Sequence, residues 1–413
     1  MESSQSWIAN VEILNAQLAK ETWYNTFWAK FSGNVDISKD DNGNNVYSPS
    51  GKPIEVLKDF VSQGRDNMLI PFLRELTGSP VFGDTVLKGT GEDQSLYWLR
   101  QFVNQYRKAV MKKSGSMSEQ RQKIFKLYEA AKPQLSRWFT KYENQMVFQT
   151  FLEGASQNLT AGTNDDGLGL EVRYHPNWYV QNNGTFADVG TDQQTKTNAE
   201  LDTAAAYTLG DLTSAMMWEL RNKCMALRIP QMETKDGHKF WCLVVHPSQY
   251  KDLSTESSGA FLAANREAFS TKMLGMPELA GAQAYYAGFA IYEDIVGIRG
   301  WDATNADFGF DTTSAALAPT DITSNYNAIV FGKNAIGKGV AKDLHFTSEI
   351  DDHTNIIEVG GAMIDGYGRA DFFSETNAST ASGYGFETGN ATKSESGASL
   401  AAINQSSLIF MTD

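Results

Sequence analysis

The chain has 413 residues, of which 41% are hydrophobic and 20% are charged, and its formal net charge is −14. The length allows two or three domains with a large buried core, and the composition is that of an ordinary folded protein. The negative charge argues against a general DNA-coating role, and no apolar run reaches the roughly 18 residues of a membrane-spanning helix.

The N-terminal region combines an aromatic cluster with a polar stretch. Its first ten residues lack a basic segment followed by an apolar core, so no secretory signal is predicted. The stretch 23-WYNTFWAKF-31 follows a predicted helix and has five aromatic residues in nine. Such a cluster must cover a surface, in its own core or on a neighbouring chain. Trp23, Phe27, Trp28 and Phe31 are therefore candidates for contacts between copies. Residues 32–53 are rich in Gly, Asn, Asp and Ser and predict a loop.

Residues 68–113 predict a long β-hairpin, although the second limb also fits a helix. This region belongs to a basic segment, because residues 88–145 hold 12 Lys and Arg against 5 Asp and Glu, whereas residues 146–413 hold 16 against 33. A chain polarised in this way can pair with copies of itself, basic segment against acidic surface. A solvated basic face without a partner is the alternative. The basic candidates for such contacts are Arg100, Arg107, Lys108, Lys112 and Lys113.

Residues 116–153 give the clearest helix signal. Ser116 and Glu119 form a capping box, and apolar residues then recur at steps of three or four, with Lys and Arg on the other faces. Pro133 lies inside the pattern and is expected to kink or divide the helix.

The remaining elements alternate between helix and strand. Residues 203–229 and 260–274 predict helices, 239–247 a strand ending in a turn at Pro247, and 285–293 a further strand. Residues 328–373 predict short strands punctuated by glycine, and 374–407 a low-complexity tail before a strand-like end at 408–411. Cys224 and Cys242 lie among apolar neighbours, which indicates core positions and fits a reducing cytoplasm.

The stretch 328-AIVFGKNAIGKGV-340 is within one residue of a phosphate-binding loop. Such a loop needs a Ser or Thr after the lysine to bind Mg²⁺, and Gly339 occupies that position. It also normally opens an α/β domain, whereas only 74 residues follow Gly339 here. A nucleotide-binding enzyme is therefore disfavoured.

The stretch 345-HFTSEIDDH-353 contains two histidines and three carboxylates. The histidines do not have a spacing that puts both on one face, so an acidic surface loop is favoured over a metal site. Glu349, Asp351 and Asp352 are candidates for the acidic side of a contact between copies. The sequence predicts no catalytic residue, cofactor or metal. Its aromatic content of 12% leaves one rival function, a secreted or surface carbohydrate-binding or structural protein, disfavoured by the missing signal.

Several stretches carry a family resemblance through their order and spacing. The arm 71-PFLRELTGSPVFGDTVLKGTGEDQSLYW-98 leads through 106-YRKAVMKKSGSMSEQR-121 into the long helix. The stretches 239-KFWCLVVHPSQYKDL-253, 329-IVFGKNAIGKG-339 and 349-EIDDHTNIIEVGGAMIDGYGRADFF-373 follow. From about residue 23 to residue 373, the chain resembles the major capsid proteins of tailed bacteriophages, in particular a phage capsid-like family with podovirus and crAss-like phage relatives. In that family the glycine-rich stretch is a structural turn.

The resemblance implies an α+β, HK97-like major capsid fold (the Hong Kong 97 type). Its parts would be an N-terminal arm (1–64), an extended loop (65–115), the spine helix of a peripheral domain (116–157), an axial domain (158–345), closing strands of the peripheral domain (346–373) and a C-terminal extension (374–413).

The resemblance also implies a function without catalysis. Hexamers and pentamers of the chain would form the icosahedral shell of a virion around double-stranded DNA, assembled in the bacterial host cytoplasm. Family-like sequence begins soon after Met1, so a separate scaffolding protein is expected. A portal would be a further partner, and the sequence leaves open whether decoration proteins attach. The packaged DNA would be only non-specifically close, and no membrane would be involved.

Overall fold

The computed structural model of the chain describes residues 26–39, 45–58, 67–73, 81–82, 96–112, 127–153, 175, 177–182, 184–188, 210–270, 281–294, 326–351, 356–370, 372–373, 402–403 and 406–412.

More of these residues lie in strands than in helices. The α-helices are α1 (Leu127–Glu153), α2 (Ser214–Ala226), α3 (Pro247–Thr255) and α4 (Ala260–Ser270), and a short 3-10 helix covers Phe27–Phe31. The strands are β1 (Ser32–Asn34), β2 (Asp36–Lys39), β3 (Asn45–Ser48), β4 (Ile54–Leu57), β5 (Asn67–Leu73), β6 (Leu96–Phe102), β7 (Asn104–Lys112), β8 (Trp178–Asn182), β9 (Thr185–Asp188), β10 (Met232–Glu233), β11 (Lys239–Val245), β12 (Ala284–Tyr286), β13 (Phe289–Glu293), β14 (Tyr326–Phe331), β15 (Ile336–Asp351), β16 (Ile356–Arg369), β17 (Phe372–Phe373), β18 (Ala402–Ile403) and β19 (Ser407–Thr412).

A five-stranded sheet is built around two long antiparallel strands, β15 and β16. Its order is β1-β4-β15-β16-β7. Strand β16 pairs antiparallel with β15 on one side and with β7 on the other, while β4 runs parallel to the first residues of β15. The sheet thus joins strands from the first third of the chain to strands from its last quarter, and non-local pairing of this kind carries a large loop-closure cost.

Helix α1 packs against this sheet through its predicted apolar stripe. Leu135, Phe139, Tyr142 and Met146 recur at steps of three and four, and all are buried. Pro133 lies inside the helix, which continues unbroken to Glu153, so the proline does not divide it. The part of the predicted helix from 116 to 126 lies outside the described residues.

The eight-stranded sheet has the order β12-β13-β11-β14-β19-β8-β9, with β10 paired to β11. Side chains of β11 alternate between two cores: Cys242 and Val244 face the core that includes α1, whereas Trp241, Leu243 and Val245 face the core that includes α2. Burial on both faces explains why β11 reads as a continuous apolar run rather than an alternating one.

The C-terminal strand belongs to the core of this sheet. All six residues of β19 are buried. The strand pairs antiparallel with β14 and parallel with β8. The strand-like end of the chain therefore lies between two strands, beyond the low-complexity residues that precede it.

The hairpin prediction for residues 68–113 is confirmed where the structure describes it. Strand β5 pairs antiparallel with β6 over seven residue pairs, from Asn67↔Phe102 to Leu73↔Leu96. The second limb, which also fitted a helix, consists of the strands β6 and β7. Its proposed turn at 88–93 lies outside the described residues.

Other sequence predictions are wrong in detail. Residues 32–53 are not simply a loop, because β1, β2 and β3 lie there. The strands predicted to be short between 328 and 373 include two long ones, since β15 has 16 residues and β16 has 14. The segment 285–293 is not one strand but parts of β12 and β13, joined by a tight turn in which Ala287 and Gly288 both have positive φ.

Helix boundaries also differ from the prediction at two places. Helix α2 begins at Ser214 because Thr213 caps it, its side chain accepting a hydrogen bond from the Met216 amide; the residues from 210 to 213 are not helical. Pro247 starts a helix instead of a turn, since proline suits the first helical position and His246 forms a capping box with Gln249.

Candidate functional site

The stretch that resembles a phosphate-binding loop is a strand, a tight turn and a second strand. Strand β14 ends at Phe331, the turn follows, and β15 begins at Ile336. Gly332 is required because a Cβ there would lie 1.9 Å from the carbonyl oxygen of Pro230. A phosphate-binding loop leads into a helix whose N-terminus faces the phosphate, and no helix follows this turn. The prediction that this stretch is a structural turn is confirmed.

Lys338, the lysine of that stretch, is buried in an ion cluster. Its Nζ lies 3.0 Å from Oε1 of Glu143 on α1 and 3.7 Å from Oδ2 of Asp365 on β16. It also lies 5.0 Å from the ring centroid of Tyr367. Burial raises the pKa of Asp365 to about 7; the nearby Lys338 lowers it and Glu143 raises it further. These four residues, the buried ion cluster, connect α1 with β15 and β16.

A second buried cation attaches the end of α1 to the same sheet. Arg369 is fully buried at the end of β16, and its Nη1 donates a hydrogen bond to the carbonyl oxygen of Phe151 in the last turn of α1. Carbonyl groups at a helix C-terminus lack partners within the helix and carry partial negative charge, which suits a guanidinium. At Phe139, β16 also approaches α1 closely. Gly361 makes this possible, since a Cβ there would lie 2.6 Å from the Phe139 ring.

The opposite face of the sheet carries a groove of about 330 Å³ across β7, β16 and β15. Its floor is a row of small residues in register, because Gly360 pairs with Ala109 on one side and with Thr347 on the other. A Cβ on Gly360 would lie 3.3 Å from Oγ1 of Thr347, so glycine keeps the floor low. We call this surface the sheet groove; its lining residues are Arg107, Lys108, Ala109, Thr347, Glu349, Glu358, Gly360, Gly361 and Ala362.

Charges of opposite sign lie at different places in the sheet groove. Glu349 and Glu358 are direct cross-strand partners, and like charges in such positions destabilise a strand pair. Among the described residues, no basic side chain forms a salt bridge with either carboxylate. Arg107 pairs with Ala362, four residues further along β16 than Glu358, and its side chain is exposed. Lys108 pairs with Gly361, and its ammonium lies 5.5 Å from the ring of Trp138 on α1, so its charge is on the other face of the sheet. The groove is therefore acidic at one end and basic at the other.

Three of the predicted contact residues line this groove: Arg107, Lys108 and Glu349. Of the others, Arg100 lies on β6, Lys112 ends β7 and Asp351 ends β15, each without a described side chain, and Lys113 and Asp352 lie outside the described residues. The segment 345–351 is the end of a strand and not a surface loop, which corrects the sequence interpretation.

The N-terminal aromatic residues pack mainly within their own chain. Trp28 is fully buried and Phe31 is 4% exposed. The Trp28 ring lies 4.9 Å from that of Phe148 on α1, and the Phe31 ring 5.0 Å from that of Tyr292 on β13. The structure thus gives Trp28 and Phe31 a role in their own core instead of on a neighbour. Phe27 is half-buried, and Trp23 lies outside the described residues.

Sequence reasoning missed several residues of these sites. Glu143 lies four residues after Phe139, within the apolar stripe of α1, and a carboxylate there was the available signal for a buried ion pair. The sequence contains no such signal for Asp365, Glu358 and Arg369. These residues lie on a strand interrupted by glycines, and they contact their partners only in the folded sheet.

In the described part of the chain, no group of three metal-ligating side chains comes together. Within the same residues no helix is both long and apolar enough to span a membrane. Cys224 and Cys242 are buried and unpaired by disulfide, and burial raises the pKa of both thiols.

The family model of a phage capsid protein matches residues 35–386. The chain belongs to this family. The match includes the strands of the five-stranded sheet from β4 to β16, helix α1 and the sheet groove, so these features are those of a phage capsid protein, a structural protein that forms the phage shell. The comparison with curated protein sequences finds no match.

Solved phage capsids share the fold of this capsid protein at low sequence identity. The capsid of Ralstonia phage GP4 is 14% identical with a TM-score of 0.57, over 84% of this chain and 87% of that one. The cyanophage Pam1 capsid is 18% identical with a TM-score of 0.55, over 88% of each chain. The acidic stable capsid structure of Helicobacter pylori bacteriophage KHP30 is 10% identical with a TM-score of 0.57, over 94% and 92%. The fold is HK97-like, as the sequence resemblance predicts.

Proposed function

We propose that copies of this capsid protein contact each other through the sheet groove when they build an icosahedral shell around the double-stranded DNA of a tailed phage. The main support for this contact is the cross-strand pair Glu349 and Glu358. These two carboxylates lie on an accessible face of the sheet and have no described basic partner. A lysine or arginine of a neighbouring copy would relieve this repulsion, and such complementary charges steer association and fix its register.

The basic end of the groove supports the same arrangement. Arg107 belongs to the basic segment 88–145, while the segment from 146 onward is strongly acidic. An exposed charge pair contributes about 0–1 kcal/mol by itself. Repeated over the many copies of a shell, and partly desolvated, such pairs contribute more in total.

Packaged DNA is a weaker candidate as partner of the groove. Phosphates would be attracted to Arg107 without base specificity. Glu349 and Glu358, however, line the same groove, and they would repel a phosphate backbone. The proposal therefore gives DNA only non-specific proximity to the chain.

We further propose that the chain is divided into the domains that the family resemblance implies. Residues 1–64 would be an N-terminal arm, 65–115 an extended loop that reaches a neighbour, 116–157 and 346–373 the peripheral domain, 158–345 the axial domain, and 374–413 a C-terminal extension. The paired strands β5 and β6 support the extended loop, and the contact of α1 with β15 and β16 supports the peripheral domain. Arg100 and the N-terminal residue Trp23 remain candidate contacts in this scheme.

The further partners follow from assembly of a closed shell. The chain would form hexamers and pentamers in the bacterial host cytoplasm, with a separate scaffolding protein, a portal and decoration proteins. Lys112, Lys113, Asp351 and Asp352 remain candidates for charged contacts between copies.

Charge reversal tests the groove contact. The variant R107E should fold, as judged by circular dichroism, but fail to form particles in sedimentation and electron microscopy. A matched control, K235E, reverses one exposed lysine away from the groove and should assemble normally. Adding E349K/E358K to R107E restores opposite charges at the two ends and should recover particles. Normal shells from R107E would remove the groove from the assembly contacts.

A further inference from the structure

The buried ion cluster contains more negative than positive groups. Lys338 lies between the carboxylates of Glu143 and Asp365, at 3.0 and 3.7 Å, and the side chains of the three residues are 5%, 6% and 4% exposed. With all three ionised, one negative charge would remain uncompensated. An unpaired buried charge costs several kcal/mol, whereas a neutral carboxyl group in the same place costs far less.

In the part of the chain that the structure describes, no cation other than Lys338 forms a salt bridge with Glu143 or Asp365. Tyr142 on α1, Tyr367 on β16 and Tyr106 on β7 surround it, and burial raises the pKa of Tyr142 and Tyr367, so both stay neutral at neutral pH. Arg369 lies four residues from Asp365, about 13 Å along the strand, and is bonded to the Phe151 carbonyl.

The adjacent strand β4 brings one more carboxylate close, that of Glu55. Its oxygens accept hydrogen bonds from the amides of Ser50 and Gly51 and from the Ser50 hydroxyl. Glu55 pairs with Gly337, whereas Lys338 pairs with Val56, so Glu55 points to the other face of the sheet. It does not change the charge of the cluster.

We infer that Glu143, Asp365 and Lys338 form a buried site that binds one proton, and that this proton makes the attachment of α1 to the five-stranded sheet depend on pH. The proton is held at Asp365, the carboxyl group that lies farther from Lys338. With the proton bound, the cluster is neutral and the helix is held by its salt bridge. Without it, the junction of helix and sheet holds one excess negative charge.

The direction of the pH dependence follows from proton linkage. Burial raises the pKa of Asp365 from 3.8 to about 7. Between these values the folded chain holds a proton that the unfolded chain lacks, so stability falls as the pH rises. Above about pH 7 both states have lost the proton and this contribution stays constant. The stabilising effect of the proton is therefore present in mild acid and lost near neutral pH.

Urea unfolding of the full-length chain between pH 5.5 and pH 8.5 tests the site against the variant D365N. Relative to D365N, the unfolding equilibrium constant of the unchanged chain should rise roughly 15-fold from pH 5.5 to pH 7 and then level off. The matched control D343N removes an exposed carboxylate from the neighbouring strand β15 and should keep the profile of the unchanged chain. Parallel pH profiles for the unchanged chain and D365N would overturn the inference.

A local measurement keeps the test valid if D365N does not fold. Amide hydrogen exchange of α1 in the unchanged full-length chain, corrected for intrinsic rates, should show protection decreasing from pH 5.5 to pH 7 more than that of α2. The variant E143Q, which removes the other carboxylate charge, should abolish this difference. Equal changes in α1 and α2, or an unaltered difference in E143Q, would refute a proton site at this junction.

Discussion

Replacing Trp28 by alanine would show how far the N-terminal segment stabilises the subunit that carries it. The Trp28 side chain is fully buried, with ring contacts to Phe148, Phe331 and Phe151 at 4.9, 5.5 and 5.6 Å between centroids. Burial of about 200 Å² at roughly 25 cal/mol per Å² amounts to about 5 kcal/mol. Its indole N–H has no hydrogen-bond partner among the described groups, so truncation also removes a desolvation cost. We therefore expect a loss of about 3 kcal/mol, the low end for buried Trp→Ala changes.

Urea denaturation followed by circular dichroism measures this loss on the full-length chain. Trp218 provides the control, since it is 49% exposed on α2, and W218A should cost less than about 1 kcal/mol. A W28A midpoint equal to that of W218A would show that the segment around Trp28 does not belong to the subunit core. Loss of particles with an unchanged midpoint would instead restore the role of this aromatic cluster between neighbouring copies.

Three further predictions concern the turn after β14 and the two thiols. Isothermal calorimetry with Mg-ATP and Mg-GTP should show no binding, because Lys338 is occupied in the buried ion cluster; micromolar affinity lost in K338A would contradict this. The variant G332A should be destabilised by about 1–3 kcal/mol, since its Cβ would collide with the Pro230 carbonyl, and an unchanged urea midpoint would refute the close approach. Cys224 and Cys242 should resist alkylation at pH 8 in the folded chain and react after unfolding, because burial keeps both thiols protonated; rapid labelling of the native chain, read by mass spectrometry, would show otherwise.

The parts of the fold that could be predicted are those whose signal is local. The apolar period of α1 and the apolar run of β11 are complete within their own residues, so both elements are present where the sequence places them. The loop prediction at 32–53 failed because β1, β2 and β3 are short and mostly polar. They are strands through their pairing, β1 parallel to β4, and β2 antiparallel to β3. Tertiary context overrides weak local preference in such segments.

The long strand β16 was missed because of its glycines. A glycine inside a strand normally weakens it, and the sequence has several between 360 and 368. In the folded sheet, Gly361 makes room for Phe139, and Gly360 forms the floor of the sheet groove between Ala109 and Thr347. Close approach of other groups explains both glycines, and that information lies in the packing and not in the local sequence.

The charged sites show a similar limit. The charge asymmetry made Arg107 and Glu349 candidates for contacts between copies, and the structure brings both to one groove. The sequence could not pair Lys338 with Glu143, which lies 195 residues earlier in the chain. The spacing of glycine and lysine around Lys338 approaches that of a phosphate-binding loop, and spacing alone does not distinguish a loop before a helix from a turn between strands. The nucleotide site is disfavoured because Gly339 stands in place of Ser or Thr.

Electron microscopy of the purified full-length protein tests most directly whether the chain builds a shell. The family membership and the HK97-like fold predict closed particles, or hexamers and pentamers that close into them, in samples prepared at several salt concentrations and at micromolar protein. A folded chain that remains monomeric under all these conditions would contradict the account.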